Sequence, residues 1–454
     1  MTGTGHKHAA VPEGAGSISL TNAVAMGTGV MIGAGIFALT GQIAGLAGPL
    51  FPLSFVLGAV VTMFSAYSYI VMSNTWPSSG GIAMILTKAY GPGAVAAAAS
   101  VLMALSMVIN ESLVARTFAT YALRPFGIQD GPLVPAIGVA LIVMAYLVNV
   151  SGNRSVGLWS VVMSAVKIGG IALFGVAALW ASGMENWSPV VRLSENGITG
   201  FAASVALSIL AFKGFTTITN SGGEITDPRR NVGRTILISI MVCVVVYLLV
   251  ALAVGSALTP GQIQQARDYA LAEAAQPVLG QTGFYLTVVL AMVATASGLI
   301  ASVFAVSRML TMLTEMQMIP HSHFGLSGGI RSHMLIYTVA IASALTVLFD
   351  LGRIASLGAF FYLVMDMVVH WGVWRNLRHR IGARGWVILT ALALDAAVLA
   401  AFTLFKWRAD PAIVIVALAT MLTALLAERL YLGRFVSFGA DEDHIGHQRA
   451  RPID

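Results

Sequence analysis

The sequence predicts an all-α membrane protein that crosses the bilayer many times, and three observations indicate this class. Of the 454 residues, 57% are hydrophobic and only 10% are charged, whereas a soluble domain carries about 25% charged residues. The mean hydropathy is +0.84. A spanning helix needs about 20 mostly apolar residues, and runs of that kind occur twelve times along the chain.

The predicted spans form a single transmembrane domain, 19–432, between a cytoplasmic N-terminal tail, 1–18, and a cytoplasmic C-terminal tail, 433–454. No linker rich in proline or serine divides this domain. The twelve spans lie at about 19–46, 48–73, 93–122, 132–149, 156–181, 198–222, 233–258, 283–312, 333–349, 354–374, 386–405 and 411–431.

The distribution of lysine and arginine predicts the orientation. With a cytoplasmic N-terminus, fifteen of these residues fall on inner segments and six on outer loops, which satisfies the positive-inside rule with both termini in the cytoplasm. The net charge of +6 and the pI near 9.5 therefore reflect topology. The basic residues form no stripe interleaved with aromatics, so nucleic-acid binding is not expected.

Glycines interrupt the first and the sixth spans. "GVMIGAGIF" (29–37) has Gly29, Gly33 and Gly35 in mid-span, and "AFKGF" (211–215) has Gly214 beside Lys213. Glycine lowers the cost of unwinding and lets a ligand approach the backbone, although the spacing of Gly29 and Gly33 also fits plain helix packing. Interrupted spans in corresponding halves typically form a transporter's substrate site. The pair predicts a five-plus-five inverted repeat, about 19–181 and 198–374, followed by extra helices at 386–431.

Four stretches together resemble the amino acid-polyamine-organocation (APC) superfamily of permeases. The first, fifth, sixth and eighth spans contribute "GTGVMIGAGIF" (27–37), "SAVKIGGIALF" (164–174), "AFKGFTTITNSGGEITDPRRN" (211–231) and "ATASGLIASVFAVSRMLTMLTEMQMIP" (294–320). Lys167, in the second of these, is similar to the lysine of one branch of the superfamily. The resemblance implies a LeuT-like fold, amino acid transport and location in a cell membrane, expected to be a bacterial inner membrane.

The resemblance also implies a substrate site at the two interruptions. The backbone of the first span is expected to bind the substrate carboxylate, through Ile32, Gly33, Ala34, Gly35 and Ile36. The sixth span is expected to take the amino group and side chain, through Leu210, Ala211, Phe212, Lys213 and Gly214. The chain departs from the family pattern at three positions: Leu210 replaces an aromatic gate, Lys213 an apolar residue and Thr216 an acid.

Lys167 and Glu111 are the candidates for proton coupling. A lysine in mid-span is costly and needs a partner or a cavity. In the lysine-bearing branch the ammonium is thought to occupy the place of a bound sodium ion, so sodium coupling is not expected. Glu111 lies at similar depth in the third span, and we expect a Glu111–Lys167 pair that passes a proton. A structural salt bridge, or a static Lys167 that braces the first and eighth spans, remains the alternative.

Lys213 is the candidate for selectivity. A cation at the interruption disfavours arginine, lysine and polyamines and favours neutral or acidic substrates. The alternative is a lysine that turns away from the pocket, toward a glutamate or backbone carbonyls.

Several other polar groups are candidates for a gate or a proton relay. Asp366 and His370 are four residues apart and share one helix face, which fits a relay or a static polar contact. Asp395 is expected to face a neighbouring helix or a second subunit. Glu224 and the charges after it suggest an inner gate or mere topology signals, and Ser297 of the eighth span is a further candidate.

The sequence thus predicts a secondary active transporter of amino acids, proton-coupled and working by symport or exchange. The alternative is a transporter or channel for another solute, such as a polyamine, an organic amine or potassium. A channel needs a continuous polar pore, and a receptor or scaffold needs no paired interruptions. The expected partners are the substrate, protons and lipid; no cofactor, metal or enzyme activity is expected. The sequence leaves the oligomeric state and the choice of amino acid open.

Overall fold

The computed structural model describes residue 16 and residues 18–78, 80–91, 93–150, 156–182, 194–316 and 330–435. The predicted tails and the Pro320 end of the eighth-span motif fall largely outside these ranges. Within them the chain forms the α-helices α1 Leu20–Met31, α2 Phe37–Ala47, α3 Phe51–Thr75, α4 Gly81–Tyr90, α5 Ala94–Leu123, α6 Leu133–Val150, α7 Val156–Ser182, α8 Gly197–Phe212, α9 Thr216–Asn220, α10 Pro228–Ala257, α11 Pro260–Gln265, α12 Ala270–Glu315, α13 Ile330–Leu348, α14 Leu351–Gly372, α15 Gly385–Ala409 and α16 Pro411–Phe435.

Ten segments of the described chain are long and apolar enough to cross a membrane. They correspond to ten of the twelve predicted spans. The remaining two are also helical: the first is divided between α1 and α2, and the ninth is the shorter helix α13. The multi-pass helical class is confirmed, and the count of twelve stays a prediction. The short helix α4, between the second and third spans, was not predicted.

The first interruption is milder than the sequence suggests. Residues Ile32–Ile36 form a π-helical turn between α1 and α2, so the hydrogen bonds widen by one residue and the backbone stays helical. A π turn inside an α-helix is rare and frequently marks a functional site. The unwound backbone that the glycines of the first span suggest is therefore not found in this conformation.

The second interruption is a tight turn. Lys213–Phe215 forms a 3-10 turn that joins α8 to the five-residue helix α9. Beyond α9 the chain leaves the helical direction, and the next long helix, α10, begins at Pro228. The interruption thus lies where Lys213 and Gly214 predict it.

The interrupted helices occupy the centre of the bundle. The π turn packs against α2, α8 and α12, and the 3-10 turn packs against α1. Helix α10 packs along α3 and α1, while α12 packs along α5, α6 and α7. Helix α12 changes direction at Gly280, which has φ of 67°, a value that favours glycine. The surrounding helices therefore fix the positions of both interruptions.

Two short backbone hydrogen bonds tie the start of α1 to the end of the second interrupted helix. The N–H of Ile18 donates to the carbonyl of Glu224 at 2.9 Å, and the N–H of Thr226 donates to the carbonyl of Ile18 at 2.9 Å. Ile18 and Ile225 thereby form a parallel bridge. We call this pairing the terminal bridge.

Candidate functional site

The two interruptions touch each other through glycines. A Cβ atom at Gly214 would lie 2.7 Å from the backbone N of Met31, and one at Gly35 would lie 2.7 Å from the carbonyl oxygen of Ala211. Both distances are shorter than a van der Waals contact. Only glycine therefore allows the π turn and the 3-10 turn to approach this closely.

Tyr247 of α10 joins the two interruptions, and the sequence analysis missed it. Its hydroxyl lies 2.7 Å from the carbonyl oxygen of Met31 and 3.1 Å from that of Ala211. Met31 is the last residue of α1 before the π turn, and Ala211 lies near the end of α8, just before the 3-10 turn. The hydroxyl has a single proton to share between the two carbonyls. A tyrosine alone in the apolar run "VCVVVYLLVALAV" was the available signal, since a buried tyrosine hydroxyl needs a partner.

Gly33 of the π turn faces α12. A Cβ atom there would lie 2.8 Å from the carbonyl oxygen of Ala294, so this glycine serves close packing. Ser297, one turn further along α12, donates to the carbonyl of Val293 at 2.7 Å. Its hydroxyl is thus engaged within its own helix.

A small cavity of about 20 Å³ lies beside the interruptions, with room for about one water molecule. Four of the five substrate residues predicted in the sixth span line this cavity, and the exception is Phe212. None of the residues predicted in the first span, Ile32 to Ile36, lines it. Its walls are formed by Val30, Met31, Met107, Asn110, Leu210, Ala211, Lys213, Gly214, Thr216, Thr217 and Ser302. In this conformation Ile32 and Ile36, two of the carboxylate-binding residues implied by the resemblance, are fully buried.

Lys213 is buried and engaged from several sides. Its ammonium donates to the hydroxyl of Ser106 on α5 and lies 5.5 Å from the centre of the Tyr362 ring on α14. It interacts electrostatically with Glu111 and Asp366. Lys213 therefore lines the cavity while its charge is shared with two acidic groups, which combines the two alternatives left open by the sequence.

The expected Glu111–Lys167 pair does not form. Glu111 accepts a hydrogen bond from Ser302 at 3.3 Å, and the cation that it interacts with is Lys213. Among the described residues no ion pair joins Glu111 to Lys167, which is 3% exposed on α7. Equal depth in two helices does not make them neighbours: the part of α5 near Glu111 faces the cavity and the 3-10 turn.

Asp366 and His370 meet Asp395 in a second, fully buried group of polar side chains. Asp366 accepts hydrogen bonds from Ser65 and Tyr69 of α3. His370 Nε2 lies 3.3 Å from Asp395 Oδ2 of α15. The predicted shared helix face of Asp366 and His370 is confirmed, and Asp395 faces a neighbouring helix. We call these three residues the acidic–histidine cluster.

Glu224 pairs with a residue that the sequence analysis did not connect to it. Arg308 of α12 donates to the Glu224 carboxylate, and both side chains are partly exposed, at 34% and 23% respectively. This ion pair lies next to the terminal bridge. It joins the second interrupted helix to α12 at the end of the bundle.

At the opposite end, a loop carboxyl covers the first span. Asp268 accepts a hydrogen bond from Gln42 of α2, and its neighbour Arg267 lies 3.9 Å away. Burial raises the pKa of the Asp268 carboxyl, and Arg267 opposes that shift. This contact holds the α11–α12 loop against the π-interrupted helix.

Comparison with known proteins gives the same picture along almost the whole chain. The family model for amino acid permeases matches residues 18–426. The chain is 28% identical over 411 residues to the inner membrane transport protein YbaT of Escherichia coli, across 90% of this chain and 95% of that protein.

Two further relatives match about half the chain. The branched-chain amino acid permease BcaP of Lactococcus lactis is 26% identical over 249 residues, covering 50% of this chain and 53% of its own. The methylthioribose transporter of Bacillus subtilis is 28% identical over 252 residues, covering 52% and 54% respectively. The relatives thus share a role in transport and differ in the solutes that their names state.

Proposed function

The chain belongs to the amino acid permease family of the APC superfamily, a family of membrane transporters rather than enzymes, and from this premise we propose that it is a secondary active transporter of amino acids. It works by alternating access around the two interrupted helices and is coupled to protons and not to sodium. The observation that carries the proposal is the contact of the π turn with the 3-10 turn beside a cavity that contains Lys213. Paired interruptions of this kind typically bind the substrate of secondary transporters.

The substrates are neutral or acidic amino acids. Lys213 is a cation on the cavity wall, and a cationic side chain entering the cavity would meet a like charge in a medium of low dielectric. The cavity has room for about one water molecule, so the helices around it must separate to admit an amino acid. The opened cavity would also uncover the π turn, whose backbone is the proposed site for the substrate carboxylate.

A second candidate is a transporter of another small polar solute. It is favoured by the relative named as a methylthioribose transporter, since methylthioribose carries neither an amino group nor a carboxylate. A polyamine or potassium ion fits this chain less well, because Lys213 would repel either.

The test is uptake into proteoliposomes that contain the purified protein. The panel is L-leucine, L-alanine, L-glutamate, L-lysine and putrescine, each with an imposed pH gradient, a sodium gradient or neither. We expect saturable uptake and counterflow of a neutral or acidic amino acid, stimulated by an inward proton gradient. Sodium-driven uptake that ignores pH would contradict the coupling, and a preference for L-lysine or putrescine would contradict the role of Lys213.

A further inference from the structure

None of the three residues of the acidic–histidine cluster lines the cavity, and yet the cluster buries three ionisable side chains within the membrane domain. All three side chains are 0% exposed. Buried carboxylates in a membrane domain are expensive and mark ion or proton pathways. We propose that Asp366, His370 and Asp395 form a proton-binding site, and that Lys213 links its proton to the group that fills the substrate cavity. The linkage rests on the proposed transport function; the proton site does not.

The hydrogen bonds around His370 define where the proton is held. With Asp366 ionised, the single proton of Ser65 is used to bond the Asp366 carboxylate. Ser65 Oγ can then only accept from His370 Nε2, which lies 3.1 Å away. Nε2 therefore carries a hydrogen, and Asp395 Oδ2 lies 3.3 Å from the same nitrogen without forming a hydrogen bond to it.

The other ring nitrogen is the variable position. His370 Nδ1 lies 2.9 Å from the hydroxyl of Ser68, and a serine hydroxyl can either donate or accept. When Nδ1 is bare, Ser68 donates to it, and when Nδ1 is protonated, Ser68 accepts. The site can take up a proton without any movement of heavy atoms.

Asp395 supplies the reason for binding that proton. Neither of its carboxylate oxygens has a hydrogen-bond partner within the described part of the chain, and a buried carboxylate without compensation is strongly unfavourable. An imidazolium at His370 provides the missing positive charge. The second carboxylate, Asp366, is already compensated by Ser65, Tyr69 and the nearby charge of Lys213.

The surrounding helices offer few other charges. The groups that interact electrostatically with the cluster are Tyr69 of α3, Tyr362 of α14 and Lys213 of the 3-10 turn. Glu111 of α5 interacts with Lys213 and not with the three residues of the cluster. Lys88 of α4 is engaged over the ring of Trp76 instead, at 5.9 Å, and Glu428 of α16 does not interact with Asp366 or His370. The carboxylates of Asp366 and Asp395 and the ammonium of Lys213 together carry a net charge of −1. This set becomes neutral only when one further proton is bound.

Lys213 belongs both to this set and to the cavity wall. An anionic group of a substrate, placed beside Lys213, competes with Asp366 for the positive charge of the ammonium. The cluster then holds its proton more firmly, and by thermodynamic reciprocity the bound proton favours the anionic substrate. The coupling mode that follows is symport.

The proton site can be tested without any substrate. Solid-state NMR of protein labelled with ¹⁵N-histidine, in proteoliposomes between about pH 5 and 8, reports the protonation of each ring, and the His370→Gln variant identifies the His370 signals. We expect His370 Nδ1 to titrate in the wild type. In Asp395→Asn the ratio of protonated to neutral His370 at a given pH should fall about tenfold. Exposed His379, identified with His379→Gln, serves as the control and should not respond to Asp395→Asn.

A His370 that stays neutral over the whole range, or that titrates identically in Asp395→Asn, would overturn the site. The linkage is tested by uptake of L-leucine and L-glutamate by the wild type, Asp395→Asn and, as a control, the exposed carboxyl variant Glu195→Gln. The half-saturating concentration should fall by up to about tenfold per unit decrease in pH for the wild type and the control, and in Asp395→Asn the same fall should occur about one pH unit lower. Equal pH dependence in all three would refute the linkage. If no amino acid is transported, the proposed function fails while the NMR result still decides the site.

Discussion

Replacement of Gly214 by alanine tests whether the two interruptions must touch. The added Cβ would lie 2.6 Å from Met31 Cγ, 2.7 Å from Met31 N and 3.0 Å from Met31 Cα, about 1 Å short of an ordinary contact of about 3.5–4.0 Å. Two of these atoms belong to the backbone, so a change of rotamer cannot relieve the overlap. Overpacking of this kind costs about 1–3 kcal/mol.

The cost extends to Tyr247, because separation of the turns lengthens its contacts with both carbonyls. Loss of one such hydrogen bond adds about 1 kcal/mol. Gly298→Ala is the matched control: it lies in the same region of the bundle, and its Cβ would meet only Gly33 Cα, at 3.8 Å. There alanine should be neutral or stabilise by up to about 1 kcal/mol.

The assay is thermal unfolding of the purified proteins in one detergent, followed by tryptophan fluorescence, together with uptake at saturating substrate. We expect Gly214→Ala to unfold at a lower temperature than the wild type and to transport slowly, and Gly298→Ala to do neither. Wild-type stability of Gly214→Ala, or equal loss in the two variants, would show that the close approach of the turns is not required.

Three further predictions concern single contacts. Tyr247→Phe should lower the unfolding free energy by about 1–3 kcal/mol, since it leaves two buried carbonyls without their shared donor. Tyr285, which is 47% exposed, supplies the control: Tyr285→Phe should leave the unfolding free energy unchanged, and chemical denaturation measures both variants. Glu224→Gln breaks the ion pair with Arg308 and should therefore speed hydrogen–deuterium exchange of the backbone amides around Arg308. The double variant Glu224→Arg with Arg308→Glu restores the pair with its charges reversed and should restore slow exchange. A double variant whose amides still exchange fast would count against a direct pair. Lys213→Met should raise uptake of L-lysine relative to L-leucine by at least about tenfold in competition assays, because it removes a like charge from the cavity wall; an unchanged ratio would place selectivity elsewhere.

The sequence was informative where a residue type is costly unless it serves a purpose. Glycines in mid-span located both interruptions, and the isolated charges Lys213, Glu111 and Asp366, which were singled out as candidates for function, are all buried. A helix face was also readable, so Asp366 and His370 could be paired from their spacing alone.

Contacts between distant helices were not readable. The hydroxyl of Tyr247 meets Met31 across 216 residues of sequence, and Asp395 was predicted only to face some partner, which proved to be His370. Glu111 was assigned to Lys167 because depth can be estimated from one sequence, whereas the rotation of a helix about its axis cannot. The π turn was missed for a related reason, since glycine permits an unwound backbone without requiring it.

The terminal bridge has a mechanical consequence. Because Ile18 is hydrogen-bonded on both sides to the segment that follows α9, the chain entering the first interrupted helix and the chain leaving the second are fastened at one point. A displacement of α1 at that end must move residues 224–226 with it, or else break the two backbone hydrogen bonds. A fluorophore attached next to Ile18 would therefore report the displacement of both interrupted helices in a single measurement.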